Sequence, residues 1–553
     1  MATNPLLRFR RSAAQLHALA EVERTIRATD SKCRRKYLRD FNDAFQTYRR
    51  VLATSDIDQM LSSAETILVG DYHALPASQR FTAQLVEKLV TTGKEVVLGV
   101  EAIVASDQHI LDEWQRREID SDELRSRIRF ETDWGYDWQP FRELMERARA
   151  AGVKVFGLDC TPRQDMRSIR ARDRHAAAKI SEIRKTHPNA VTVVLFGESH
   201  LAPNHLPKLI RELRPRDQML TVLQNVDALY WLSAGEPQDL VEAVEVNHGV
   251  VCVFSATPLE KYEHYRLCIE RWKLERAGKL DLAPSFYNLI GTLFRFLNLN
   301  LYAARGDRAP SFLVDELPEV WCVKGEEQLE RLLYRRMSTR VQEVTTAIRE
   351  LGSYYVPERN VIVAHEFRMP WAAEQASRFV FSACRGGIPK LTGEEDRFYA
   401  GVIEVALGYF GSKVLCPSRK LYTEASVYSE YLKSDAETEQ AGLSRQAFHS
   451  LLDWVLVHKH YEKNRAEFRR VAKTMSAQER WGESHRAAAA TMLGQLLGSE
   501  LYMAYLRGTV GKRLLRKVYF KDLSKPGSAK SLYLQTTERL VPTRASRQQQ
   551  MVS

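Results

Sequence analysis

From about residue 64 to residue 254 the chain alternates short apolar runs with amphipathic stretches of helical length, and no other feature limits its fold so sharply. The runs lie at 66–69, 95–100, 153–158, 191–196, 220–226 and 249–254, and the helical stretches at 79–92, 105–117, 139–151, 166–186 and 204–213. Strands alternating with helices join by right-handed crossovers into a mostly parallel sheet with helices on both faces. Such a sheet collects ligands outside the carboxyl ends of its strands, and three of these ends carry chemistry. Thr66-Ile67-Leu68-Val69 runs into Gly70-Asp71-Tyr72-His73, and Val191 to Phe196 into Gly197-Glu198-Ser199-His200. Between them, Val96 to Val100 runs into Glu101.

Glycine at a strand-end turn admits a positive φ or a close backbone approach, which Gly70 and Gly197 would supply to a bound cofactor. The histidine three residues on then points into the cleft. His73, Glu101 and His200 together offer two imidazoles and a carboxylate, a mixed N/O set that suits zinc, iron, manganese or cobalt. Asp71 and Glu198, inside the same turns, could orient a histidine or serve as general base. Asp159, after the run ending at Leu158, shares the rim without an assigned role. The tetrapeptide by itself decides nothing, because Gly482-Glu483-Ser484-His485 repeats the second copy in a stretch of helical periodicity and reads as a helix surface. Val363-Ala364-His365-Glu366-Phe367 begins like a zinc-binding helix, but position 369 is methionine, so a structural role is expected. His458, His460 and Tyr461 read as part of a basic helical surface.

A chain of 553 residues has room for two to four domains. Residues 1–55 read as a basic N-terminal helical segment, with Leu38, Phe41, Phe45 and Tyr48 at helical spacing, and 56–280 as the α/β domain. Residues 281–523 form a largely α-helical region, with helices over 286–305, 325–351, 371–384, 394–411, 443–475 and 478–507. A loosely ordered basic tail is expected over 524–553. The net charge of +11 is concentrated at the ends, +7 in residues 1–50 and +9 in 507–553, which leaves the middle at −5. No recognition-helix or zinc-finger pattern accompanies these charges, so they read as solvated helices and nucleic acid is not an expected partner. Seven cysteines lie scattered without C-x-x-C pairs, which offers neither a zinc knuckle nor a disulfide framework. No window approaches ~18 consecutive apolar residues, and the N-terminus lacks the apolar core of a signal peptide. The expectation is a cytoplasmic protein without a transmembrane segment, its oligomeric state left open.

Residues 64–232 resemble the ChaN-like haem-binding domain, part of the superfamily that includes the Tiki proteases, TraB-like proteins and erythromycin esterases. Ile67 to His73 with Gln79-Arg80 resembles the opening block, and Val96 to Glu101 with Gln108 and Leu111-Asp112 the glutamate block. Trp134-Gly135-Tyr136-Asp137-Trp138 with Phe141 resembles the tryptophan-rich block, followed by Val153 to Asp159. Gly197 to His200 closes the set, and Arg172-Asp173 with Ala176 is similar to a segment of the TraB-like branch. The resemblance implies an α/β domain whose site carries Gly-x-x-His, Glu and Gly-x-x-His. In the Tiki-like branch these positions serve metal-dependent peptide hydrolysis, and in the esterase-like branch hydrolysis of a lactone. In ChaN the association is with haem and iron uptake on a lipoprotein. A signal peptide and lipidation cysteine are missing here, and ChaN's haem-ligating tyrosine has no assigned counterpart, although Tyr72 and Tyr136 are available.

Three functions are therefore weighed. The first is iron or haem binding at the strand-end site, with Trp134 and Trp138 walling a pocket for a flat ligand or else anchoring the helix at 139–151. The second is a metal-dependent hydrolase of a peptide or ester. There His73, Glu101 and His200 hold the cation, Glu198 or Asp71 activates its water, and Arg172 stabilises developing negative charge. The third is a non-catalytic scaffold. Whether the protein is an enzyme stays open. The expected ligand is a small molecule or peptide, and the cofactor haem or a divalent transition metal (Fe, Mn, Co or Zn).

Overall fold

A strand buried on both faces needs an unbroken apolar run, and Thr66–Asp71 and Val191–Gly197 are buried at every position. They are neighbours at the centre of an eight-stranded sheet in the computed structural model. The structure describes residues 4–29, 36–161, 163, 169–274, 280–299, 317–323, 341–385, 391, 393–433, 445–463 and 482–540. It divides into two compact units, Met1–Ser12 with Leu19–Leu280, and Ala13–Ala18 with Asp281–Ser553.

The strands of the first unit are β1 (Arg50–Val51), β2 (Thr66–Asp71), β3 (Val96–Val104), β4 (Lys154–Asp159), β5 (Val191–Gly197), β6 (Met219–Gln224), β7 (Ala243–Asn247) and β8 (Val250–Val253). Its helices are α1 (Pro5–Thr29), α2 (Lys36–Ala44), α3 (Thr54–Ser63), α4 (Pro76–Thr91), α5 (Gln108–Gln115), α6 (Ser121–Arg127), α7 (Phe130–Asp133) and α8 (Trp138–Ala150). They continue with α9 (Ile169–Thr186), α10 (Leu206–Leu213), α11 (Asp227–Ser233) and α12 (Pro258–Lys273). The sheet order is β1-β7-β8-β6-β2-β5-β3-β4. From β8 to β4 all neighbours are parallel, and β7 and β1 add an antiparallel edge. Alternate residues point to opposite faces. Val69, Leu98 and Val193 join Leu85, Trp114 and Phe141 on one side, while Leu68, Val97 and Val194 join Ile180, Ile210 and Phe41 on the other.

Two details of this unit depart from the sequence reading. The segment 1–55 is not helical throughout, since helix gives way after Ala44 and Arg50–Val51 pairs with β7. Glu101 does not end its strand: β3 continues to Val104, and its register against β4 shifts between Val100 and Val104. The irregularity holds Glu101 where the strand bends. Gly157 permits it, because a Cβ there would stand 2.8 Å from the Val104 carbonyl oxygen.

The second unit is largely helical, with Ala283–Phe296, Val341–Leu351, Met369–Cys384, Glu394–Leu415, Glu424–Lys433, Arg445–Lys463, Glu483–Arg507 and Lys512–Tyr519. It also holds a three-stranded sheet that the helical reading omitted: Glu319–Cys322, Ser353–Val356 and Val361–Ala364. His365 follows the last of these strands instead of lying in a helix, and its Nδ1 stands 3.3 Å from the Val323 carbonyl. The expected tail contains the helix Ser528–Leu540, ordered because Ala529, Leu532, Tyr533 and Thr536 fall on one buried face. Residues 300–305, 325–340, 464–475, 478–481 and 541–553, read as helix or tail, lie outside the described residues. Gly482 caps the helix Glu483–Arg507, so the third copy of the tetrapeptide opens a helix. Among the described residues one helix, Glu394–Leu415, is long and apolar enough to cross a membrane, and most of it is buried within the protein.

Candidate functional site

The turns after β2 and β5 bring both strand-end histidines to Glu101, each held from behind by an aspartate. His73 Nδ1 lies 2.8 Å from Asp71 Oδ2, and Gln79 donates to the other Asp71 oxygen at 2.5 Å. His200 Nδ1 lies 2.5 Å from Asp173, which also accepts from the Tyr37 hydroxyl at 3.0 Å. The two Nε2 atoms face opposite oxygens of Glu101, at 3.9 Å from His73 and 3.8 Å from His200. Asp173 therefore fills the orienting role expected of Glu198. It sits one residue after Arg172 on α9, and its spacing from His200 carried no local signal.

Neither Gly70 nor Gly197 is among the positive-φ glycines. Close approach is what Gly197 supplies, since a Cβ there would stand 3.1 Å from Glu101 Oε2 and 3.2 Å from His73 Nε2. At Gly70 the nearest atom, on Leu201, would be at an ordinary 3.4 Å. Gly197→Ala is expected to destabilise the protein by roughly 1–3 kcal/mol through overpacking, and Gly70→Ala by about 1 kcal/mol or less. Urea denaturation of the two variants side by side measures the contrast.

Glu101 is nearly fully buried, and its charge is compensated on every side. Arg172 Nη2 donates to Oε1 at 2.7 Å, and the Gly197 backbone N–H to Oε2 at 2.6 Å. Arg172 also forks onto Asp159 at 2.8 and 2.7 Å, and Arg163 adds a bond to Asp159 at 2.8 Å. Burial alone would raise the Glu101 carboxyl, but His200, His73, Arg172 and the Gly197 N–H outweigh it and hold it at about 2. Burial likewise disfavours the His73 cation, yet Asp71 and Glu101 leave its pKa above the ordinary value. A carboxylate depressed on folding stabilises above its unfolded pKa and loses that contribution as pH falls towards the folded one. Wild type is therefore expected to lose on the order of 3 kcal/mol between about pH 5 and pH 2 that Glu101→Gln does not lose. Denaturation curves across that window would show the difference.

This set does not fit a bare metal ion. The donor types suit one, but Glu101 presents one oxygen to a guanidinium and the other to an amide N–H. No group of three His, Cys, Asp or Glu among the described residues is spaced to hold an ion. His73, with a fifth of its side chain exposed, is more accessible than Asp71, Glu101 or His200.

Glu198 turns the other way, towards α12, where it meets Lys261 Nζ at 3.2 Å. Lys261 also approaches Asp227 at 3.4 Å and lies 4.5 Å above the Tyr72 ring. Tyr262 donates to the second Asp227 oxygen at 2.8 Å. Burial opposes the Lys261 charge, but Asp227 and Glu198 outweigh it and keep the ammonium protonated. These groups form one end of a cavity of about 850 Å³. Ile26, Leu38, Phe41 and Phe45 from the N-terminal segment line it, with Tyr72, Tyr136, Tyr265 and Trp272 supplying aromatic walls. Trp272 Nε1 donates to the Gly135 carbonyl at 2.6 Å, tying α12 to the tryptophan-rich block.

The two tryptophans of that block part company. Trp134 packs on His73, with ring centroids 4.5 Å apart, and beneath Arg163. Trp138 is buried at the start of α8 against Phe130, within the core. Tyr72 and Tyr136 both line the cavity. Burial, together with neighbours that include Glu198 and Asp227, pushes the Tyr72 phenol well above its ordinary value.

Residues 58–190 match the family model described as haem-binding uptake, Tiki superfamily, ChaN. The match spans β2, β3 and β4, and ends just before β5 and His200. No curated protein matches the chain. Among solved structures the chain is similar to the one titled "Cofacial heme binding to ChaN of Campylobacter jejuni", with 14% identity, 32% of this chain and 87% of that chain covered, and a TM-score of 0.27.

Proposed function

We propose that this ChaN-like α/β unit binds haem, and that the haem occupies the cavity between the N-terminal helices, α11 and α12 instead of resting on the strand-end histidines. The observation that carries the reading is the cavity itself. Its volume of about 850 Å³ lies within the usual range for small-molecule sites, ~300–1,000 Å³. Its walls combine aromatic and aliphatic side chains with charged and polar ones, as a flat amphipathic ligand requires. His200 and Glu101 are too deeply enclosed to face a macrocycle.

In this reading Tyr72, Tyr136, Tyr265 and Trp272 bind and orient the ring, while Phe41 and Phe45 exclude water from its apolar edge. Haem, when bound, supplies an iron centre whose reactivity depends on its axial ligand and surroundings. The strand-end cluster has a supporting part. Gly197 and Glu198 are consecutive, so the backbone that packs against Glu101 also fixes the carboxylate on the cavity side. The metal-dependent hydrolase loses ground to this reading because of the occupied Glu101 oxygens.

The test is titration of the purified protein with hemin. A Soret band that saturates near one equivalent is the expected result. Absence of any bound hemin would overturn the reading and leave the scaffold.

A further inference from the structure

The cavity carries opposite charge at its two ends. At the more buried end Lys261 is flanked by Glu198 and Asp227, a net charge of −1, with Lys261 and Glu198 no more than a tenth exposed and Asp227 31% exposed. At the open end stand Arg27, its side chain 73% exposed, and Lys273, with Glu23 beside Arg27 at 3.0 Å, a net charge of +1. Trp272, 48% exposed, marks the same end. Lys273 Nζ donates to Thr29 at 3.3 Å, so α12 and α1 meet there. A carboxylate pushed to the more buried end would meet this net negative charge, Lys261 being already shared by two carboxylates, where screening by water is reduced. Facing outward, the same carboxylate would meet a net positive charge, with Lys273 unmatched by an acid among the described residues and Arg27 paired with Glu23.

We infer that Arg27 and Lys273 select a planar ligand bearing carboxylates along one edge, and that they fix which edge enters the cavity. The ligand is thus a porphyrin dicarboxylate whose apolar edge lies inward, towards the wall that Phe41 and Phe45 help to line, and whose acidic edge stays at the rim. This inference rests on the reading that the cavity binds haem, and it assigns specificity to two residues of helices outside the span matched by the family model. Rim charges contribute modestly and are screened by salt, so the selection acts through preference between ligands and not through binding outright.

The experiment compares hemin with hemin dimethyl ester, in which both carboxylates are blocked, by absorbance titration at low salt. The proteins are full-length wild type, Arg27→Glu/Lys273→Glu and the milder Lys273→Gln. Wild type is expected to prefer hemin by roughly 5- to 30-fold, an advantage that shrinks as salt is raised. The double variant is expected to lose that preference while binding the ester as wild type does, and Lys273→Gln to lose part of it. Equal wild-type affinity for the two ligands would overturn the inference while leaving haem binding intact. So would a preference unchanged by the charge reversals. If wild type binds neither ligand, the haem reading itself fails and takes the inference with it. Both substituted side chains are exposed, and circular dichroism checks that each variant is folded.

Discussion

Replacing Arg172 by methionine is expected to destabilise the protein by about 3–5 kcal/mol, the cost of stranding a buried partner without its counter-charge. Glu101 and Asp159 both bind this guanidinium, and both are almost completely enclosed. Asp159 keeps Arg163, but Glu101 keeps only the Gly197 N–H and the two imidazoles. In a unit of this size the loss corresponds to a fall in Tm of roughly 10 °C. Arg172→Lys is expected to recover only part of it, because an ammonium cannot reproduce the two-pronged contact with Asp159 while reaching Glu101. Thermal denaturation of the three proteins decides the matter. A Tm within about 1 °C of wild type for Arg172→Met would mean that Arg172 does not hold the buried carboxylates together.

That cluster also explains what could and could not be read from the residues in order. The turns after β2 and β5 were legible because an apolar run, a glycine and a histidine lie within ten residues of one another. Convergence of both histidines on Glu101 followed from placing three strand ends on one edge of a parallel sheet. Asp173 was hidden because it reaches His200 from the second turn of a helix, where its position relative to the strand-end turn is set only by how α9 packs. Glu198 was misjudged for the converse reason. It shares a turn with His200, yet its neighbour in space is Lys261, 63 residues further along.

The cavity had a local signal that periodicity would have exposed. Lys261, Tyr265, Ile269 and Trp272 repeat at helical spacing, so α12 presents an aromatic stripe with a cation at one end. The N-terminal segment gave a weaker one. Phe41 and Phe45 are correctly spaced for a buried face, but spacing cannot say that the face they join closes a cavity. The short strands Glu319–Cys322, Ser353–Val356 and Val361–Ala364 were invisible among helices because four residues carry too little alternation to outweigh their surroundings.

Where the ligand sits separates the cavity from the strand-end histidines. Ala228, near the start of α11, lines the cavity with a side chain too small to fill it. Ala228→Trp would place an indole in the space a porphyrin needs, whereas His200→Ala alters a buried group that does not line the cavity. Hemin titration of wild type, Ala228→Trp and His200→Ala therefore locates the ligand. The expected result is binding weakened at least ~100-fold in Ala228→Trp and within about threefold of wild type in His200→Ala, provided both remain folded. Hemin binding that survives in Ala228→Trp and disappears in His200→Ala would contradict the account and return the ligand to the strand-end histidines.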